Sequence, residues 1–162
     1  MLSIIISTLA LLATFYQLYL QRVHNEKSLR PLGQINVSDR NHRVSVCVAN
    51  NGMGPMVIDG LVFFKEGNSY TSIDHCLSLA AGSYSHIVIN DSIKKVILPN
   101  ASLEVFAAEL EPYEEETQMD NVRNQLSPII MRVNCRDIYD NRFTFERNLE
   151  WFSRHITDET VI

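Results

Sequence analysis

The sequence predicts a mainly β protein, an Ig-like β-sandwich or a small barrel, behind a single N-terminal transmembrane helix. Residues Met1–Gln21 carry no charged side chain, and a helix of this length, rising ~1.5 Å per residue, spans the ~30 Å hydrocarbon core of a bilayer. The chain then alternates apolar and polar residues in short segments, and turn residues separate these segments at intervals of roughly eight to twelve positions. About 130 residues remain beyond the anchor, enough for one domain with its own core.

The composition divides the chain into a transmembrane helix (1–21), a helical neck (22–30), a β-sandwich domain (31–156) and a C-terminal tail (157–162). The neck should end before Pro31, because proline cannot continue the helical hydrogen-bond ladder. A cleaved signal peptide is the alternative for the first segment. However, no Lys or Arg precedes the apolar run, and Phe15 and Tyr16 stand where a cleavage site needs small residues. The pattern therefore favours a retained helix.

The charges that flank the helix predict its orientation. Arg22, Lys27 and Arg30 follow the apolar run, whereas its amino side carries the terminal amine alone. Because basic residues stay on the cytoplasmic side, we expect an inner-membrane, single-pass protein with its N-terminus outside and its β domain in the cytoplasm. Three cysteines without paired spacing agree with a reducing compartment, although one disulfide and one free thiol would fit the same count. If the topology were reversed, the domain would be a periplasmic or cell-surface module.

One face of the predicted transmembrane helix carries small and polar side chains at heptad spacing. Small residues let helix backbones approach in lipid, and Ser, Thr or Gln side chains can hydrogen-bond across the contact. This pattern predicts that the helix self-associates or pairs with a partner's helix. The alternative is that the hydroxyl groups bond back to their own backbone. The residues of this helix seam are Ser3, Ser7, Ala10, Thr14, Gln17 and Gln21.

The remaining elements follow from alternation and turn chemistry. Val44, Val46 and Val48 share one face of a half-buried strand. The segment 50–55, NNGMGP, is the sharpest turn signal, with two glycines available for positive φ, and Gly60 is a candidate β-bulge. Strands are predicted over 34–37, 43–49, 56–65, 69–73, 84–89, 103–107, 129–135 and 142–147, with a turn over 38–41, a short helix over 119–126 and a final helical turn or strand over 149–156.

The apolar helix is followed by the segments RPLGQINV, VSVCVANNGMGPMVIDGLVFF and VNCRDIYDNRFTFERNLEWF. This combination resembles a loose group of small bacterial membrane-anchored proteins that join one or two helices to an Ig-like or barrel-like β domain. Most of these proteins have no assigned activity. Some proteins of broadly similar architecture serve antiphage defence, where the β domain senses a nucleotide signal and the helices disrupt the inner membrane. For the proteins of this second kind, the resemblance implies a nucleotide ligand.

The sequence offers no pattern for catalysis or for a metal. Its five histidines are dispersed without H-x-x-x-H or H-E-x-x-H spacing, and no G-x-S-x-G occurs. The net charge of −5 argues against a general nucleic-acid binder. Arg132 and Arg136 share one face of a strand and could grip an anion, while the alternative is solubilising charge or contact with anionic lipid headgroups.

We therefore expect a binding protein, with no catalytic, cofactor-binding or metal-binding residues and no nucleic-acid partner. In this interpretation the lipid bilayer holds the helix, which self-associates as a homo-oligomer or pairs with a membrane protein partner. The cytoplasmic β domain binds a protein and so acts as a scaffold. The alternative is a ligand-gated, nucleotide-sensing membrane effector of a bacterial defence system.

Overall fold

The computed structural model describes residues 1–40, 42–80, 82–90, 92–110 and 116–155, so the predicted tail 157–162 lies outside the described residues. An apolar helix leads into a β domain that carries a second helix and two 3₁₀ turns. The helices are α1 (Leu2–Ser28) and α2 (Glu116–Leu126), and the 3₁₀ turns are Ile73–Cys76 and Glu150–His155. The strands are β1 (Gly33–Arg40), β2 (Arg43–Asn50), β3 (Met56–Lys65), β4 (Asn68–Tyr70), β5 (Tyr84–His86), β6 (Lys95–Ile97), β7 (Ala101–Glu109), β8 (Ile130–Arg136) and β9 (Arg142–Asn148).

The strands form two antiparallel sheets. The first has the order β1–β2–β7–β5, and the second has the order β4–β3–β8–β9, with β6 also pairing with β3. Within the described residues no strand pairs across the two sheets, so they do not close into a barrel. The prediction of a mainly β, sandwich-like domain behind one apolar helix is therefore confirmed, and the barrel alternative is not.

The core lies between the sheets and is closed at one end by α2. Val44, Val46 and Val48 are fully buried, as their alternation predicts. The strand is nevertheless more than half-buried, because β2 is a central strand whose small outward residues Ser45 and Ala49 are covered too. Each buried side chain of valine to phenylalanine size contributes roughly 1.5–3 kcal/mol. On α2 the apolar residues recur at helical spacing and are buried: Met119, Val122 and Leu126.

A buried ion-pair network fixes α2 to the first sheet. The Arg123 guanidinium donates from Nε to Asp39 Oδ2 at 2.8 Å and from Nη2 to Asp39 Oδ1 at 2.9 Å. Its Nη1 donates to Asp120 Oδ1 at 2.7 Å. The network explains why the turn predicted over 38–41 is wrong for its first three residues. They continue β1 to Arg40, since they pair with β2 and place Asp39 beside Arg123.

Other elements match the sequence or differ for local reasons. The register of β3 against β8 shifts between Ile58 and Gly60, which confirms the predicted bulge. The strand predicted over 69–73 is only Asn68–Tyr70, because Ile73 enters a 3₁₀ turn and is fully buried. Strand β6 was not predicted, since its three residues show too short an alternation to register.

Candidate functional site

Helix α1 stands clear of the β domain for most of its length. It has 27 residues, none of them buried, and it has the length and apolar composition to cross a membrane. At ~1.5 Å per residue it measures about 40 Å, and it runs without a break from the predicted anchor into the predicted neck, ending at Ser28.

The helix seam lies on this exposed surface, and two of its hydroxyl groups bond locally. Ser7 Oγ donates to the Ser3 carbonyl oxygen at 2.8 Å, and Thr14 Oγ1 donates to the Ala10 carbonyl oxygen at 2.9 Å. These are the backbone contacts that the alternative interpretation expects. The amide groups of Gln17 and Gln21 make no hydrogen bond within the described part of the chain. Association through the seam stays a prediction, and the two glutamines are its best donors and acceptors.

The buried side chain of Asn50 fastens the exit of α1 to the β domain. Its Oδ1 accepts from the backbone N–H groups of Leu32 at 3.2 Å and Gly52 at 3.1 Å. Its Nδ2 donates to the carbonyl oxygens of Gly54 at 2.8 Å and Ile97 at 3.1 Å. All four hydrogen-bonding positions of the amide are therefore satisfied, as burial requires. The Asn50 side chain thus joins the segment after α1 to the β2–β3 turn and to the end of β6.

The glycines of the β2–β3 turn serve close approach rather than unusual backbone conformation. A Cβ at Gly54 would overlap the carbonyl group of Leu29, and one at Gly52 would lie 2.6 Å from the Cα of Pro31. The prediction that these glycines supply positive φ is wrong, because the main chain after α1 packs directly on them. The glycines with positive φ are Gly67 and Gly82.

The end of α1 also faces the turn between β8 and β9 across a cleft of ≈ 410 Å³. Asn141 Nδ2 bridges it weakly, donating to Glu26 Oε1 at 3.4 Å. Asp137 is buried and orders the turn, since its Oδ1 accepts from the N–H groups of Tyr139 and Asn141 at 2.8 and 2.9 Å. The cleft is lined by Val23, Glu26, Lys27, Arg30, Asp137, Asn141, Arg142 and Phe143.

The carboxyl group of Asp137 is adapted to this position. Burial raises its pKa. The pKa is lowered by hydrogen bonds from the side chain and backbone of Asn141 and from the backbone of Tyr139, and by the nearby charge of Arg30, and together these outweigh burial. The pKa of Asp137 therefore lies below its ordinary value. The turn is held in shape by an ionised carboxylate.

The two arginines of the predicted anion contact already face carboxylates. Arg132 Nη2 lies 2.9 Å from Glu146 Oε2, and its guanidinium carbon lies 4.8 Å from the centre of the Phe64 ring. Arg136 pairs with Asp140 at 2.5 Å and with Asp59 at 3.2 Å, and the hydrogen bond to Asp140, followed by the charge of Asp59, raises the pKa of Arg136. An anion would have to compete with these groups. Binding of a nucleotide here stays a prediction without structural support.

The thiols are free and mostly inaccessible. Cys76 and Cys135 are buried, and burial raises their pKa to about 11 and about 12 respectively. Cys47 is partly exposed, and burial again is the main cause of its raised pKa. Such thiols react slowly, because the thiolate is the nucleophile. Among the described residues no group of three or more His, Cys, Asp or Glu side chains could hold a metal ion.

Sequence reasoning identified the turn around Asn50 but not its role. An asparagine before a glycine-rich turn is ordinarily exposed, and only the packing of α1 on that turn buries it. Asp137 carried a clearer signal, since Asp-x-x-x-Asn is suited to a turn whose first carboxylate accepts from the backbone two residues on.

Comparisons with known proteins leave the family open. No family model matches the chain, and no curated protein matches it. Among solved structures, the chain is similar to the archaellum periplasmic stator protein FlaG from Sulfolobus acidocaldarius, at 10% sequence identity and a TM-score of 0.27. The match covers 72% of this chain and 100% of the other. A likeness this distant carries no conclusion about function.

Proposed function

We propose that this protein is a single-pass membrane scaffold: α1 lies in the inner membrane, and the β domain is held at the cytoplasmic surface to bind a protein partner. The observation that carries the proposal is that a 27-residue apolar helix without a buried residue continues into the β domain through the Asn50 hydrogen bonds. An apolar helix exposed on all sides needs lipid or other helices around it.

The junction is unlike the linker of a tethered but freely rotating domain. A Gly- and Ser-rich linker behaves as a flexible coil. Here two residues, Leu29 and Arg30, separate the last residue of α1 from Pro31, which is buried. Asn51 N–H then donates to the Leu32 carbonyl oxygen at 2.8 Å. The domain therefore takes its orientation from the helix, which suits a scaffold that presents a fixed surface.

The sheet edges suggest how a partner would be met. The edges formed by β1 and β9 lie together, where Arg147 Nη1 donates to the Ile35 carbonyl oxygen at 2.6 Å. On the other side of the sandwich the edge strands β4, β5 and β6 have three residues each. Short edges resist strand addition, so contact through loops or faces is favoured over β-augmentation.

Anchoring and orientation are tested with cysteines placed by the structure. The native thiols are poor reporters, so we would label Asn68→Cys, at the exposed start of β4, and Leu2→Cys, at the start of α1, with a membrane-impermeant maleimide on intact bacterial cells. The proposal expects carbonate-resistant membrane association, labelling of Leu2→Cys from outside and labelling of Asn68→Cys only after lysis. A carbonate-soluble protein would contradict the anchor. Labelling of Asn68→Cys from outside intact cells would show that the β domain has the opposite orientation to the one proposed.

Helix association is tested on the seam. Gln17→Leu should weaken self-association in a membrane two-hybrid assay, because an interhelical hydrogen bond in lipid is worth about 0.6–2 kcal/mol. Thr8→Leu is the matched control, since Thr8 lies on the opposite face and its hydroxyl already bonds to the Ile4 carbonyl oxygen at 2.9 Å. Equal association of the two variants and the unaltered chain would contradict pairing through the seam.

A further inference from the structure

Among the described residues of the β domain, most of the exposed large apolar side chains lie at the end that meets α1. They sit in the loops that join the strand ends on this side, before β1, between β2 and β3, around β6 and between β8 and β9. Ile138 and Tyr139 form the tip of the β8–β9 turn and are 52% and 44% exposed. Leu32, Met53 and Leu98 lie in the other loops and are more exposed still. Apolar tips gathered at one end of a domain mark a surface that meets an apolar partner.

The position of α1 places this surface at the depth of lipid headgroups. Val23 and Glu26 line the cleft opposite the β8–β9 turn, and they lie two and five residues beyond Gln21, the last residue of the uncharged run. At ~1.5 Å per residue this is about 3 to 8 Å beyond the hydrocarbon boundary. The headgroup layer is about 5 to 8 Å thick on each side of a bilayer. A tyrosine with one polar end is typical of that layer.

The cleft between α1 and the β8–β9 turn carries positive charge, which suits anionic lipid headgroups. Lys27, Arg30 and Arg142 line it, and none forms a contact ion pair with a carboxylate in the described part of the chain. Two acidic groups also line the cleft, so its formal charge is one positive: three basic side chains against two carboxylates. Asp137 lies near the charge of Arg30 and uses its oxygens to order the turn, and Glu26 faces Asn141. Three basic side chains around an open cleft suit a phosphate group, which takes several charge-assisted hydrogen bonds.

We propose that this end of the β domain is a second membrane contact: Ile138 and Tyr139 enter the headgroup layer, and the cleft beside α1 holds the phosphate of an anionic phospholipid. The occupant is the bilayer itself, because the contact is continuous with the helix proposed to span it and its charge is complementary. The inference rests on the proposed anchoring of α1. It adds a site and a lipid preference that anchoring alone does not require.

Tryptophan quenching by brominated lipids tests the insertion in the full chain. The native Trp151 lies in the 3₁₀ turn after the far end of β9 and serves as the internal control. The reporter variant is Tyr139→Trp with Trp151→Phe, and Ile138→Trp with Trp151→Phe is a second reporter if the first is misfolded. In nanodiscs with bromine high on the acyl chain, the turn reporter should be quenched several-fold more than Trp151, and bromine near the methyl end should quench it less. Equal quenching of both positions would overturn the inference.

The lipid preference is tested with the same reporter in mixed phosphatidylcholine and phosphatidylglycerol nanodiscs. Brominated phosphatidylglycerol should quench more than brominated phosphatidylcholine at equal content, and Lys27→Gln with Arg142→Gln should remove most of the difference, since Arg30 alone remains of the three basic residues in the cleft. Each basic residue lost should reduce the preference roughly five-fold. Arg40→Gln, an exposed arginine at the far end of β1, should leave it unchanged. Equal quenching by the two lipids in the unaltered cleft would overturn the headgroup site. A chain that does not enter nanodiscs would instead refute the proposed anchoring.

Discussion

The hydrogen bonds of Asn50 give the sharpest prediction about this molecule. Asn50→Ala removes two acceptor and two donor contacts and leaves the backbone groups of Leu32, Gly52, Gly54 and Ile97 without their partner. Each hydrogen bond contributes about 1 kcal/mol net, and a buried group left unpaired costs about 1–3 kcal/mol. Partial access of water near Leu32 lowers the sum, so we expect a loss of about 3–5 kcal/mol from the free energy of unfolding. For a domain of this size that lowers the Tm by about 15 °C.

Urea unfolding of the full chain in detergent micelles, followed by Trp151 fluorescence, measures this loss. Asn51→Ala is the matched control, because Asn51 is exposed and its side chain makes one hydrogen bond, from Nδ2 to Gln34 Oε1 at 2.8 Å. It should cost less than about 1 kcal/mol. If Asn50→Ala were no more destabilising than Asn51→Ala, the buried amide would not fasten the junction, and the reasoning for an oriented domain would fail with it.

Three further predictions use the same unfolding assay. Gly54→Ala should cost at least about 2 kcal/mol, since its Cβ overlaps Leu29, whereas Gly60→Ala should be nearly neutral because nothing lies within 4 Å of its Cβ; equal costs would refute the close approach. Asp39→Ala should cost about 2–3 kcal/mol, because it removes two buried hydrogen bonds from Arg123, which keeps its pair with Asp120. Glu104→Ala, which breaks the exposed pair with Arg43, should cost less than about 1 kcal/mol. The pKa of Asp137 is lowered in the folded state, so its stabilising effect is complete above the ordinary carboxyl pKa and is lost as the pH falls through the native pKa. Asp137→Asn should therefore have a lower free energy of unfolding at neutral pH, and that free energy should fall less on acidification than in the unaltered chain. Parallel pH profiles of the two proteins would contradict this.

Alternation and turn residues in the sequence predicted most strands of this fold, while contacts between distant segments determined how they pack. The alternation of Val44, Val46 and Val48 was enough to predict a core strand, because a period of two determines a face whatever the neighbours are. The reason for Gly54 was not predictable, since nothing in the turn sequence shows that Leu29 packs against it. The same holds for the candidate site. The basic residues after the helix are visible in the sequence, but the approach of Arg142 to Lys27 depends on how the hairpin folds back beside α1.

The directions of the side chains on α1 make helix pairing and an oriented domain compatible. At 100° per residue, the seam and its continuation through His24 and Ser28 point about 160° away from the face formed by Val23, Glu26 and Lys27, which borders the cleft. Paired helix axes are only about 8–10 Å apart, so two β domains on the same side of the pair would collide. Two copies joined along the seam would instead hold their β domains on opposite sides of the helix pair. We predict that Ser28→Cys forms a disulfide-linked dimer in membranes under mild oxidation, because it lies on the seam side, and that Lys27→Cys does not. Efficient crosslinking through Lys27→Cys would place the second helix where the cleft lies, and this arrangement of the two domains would be wrong.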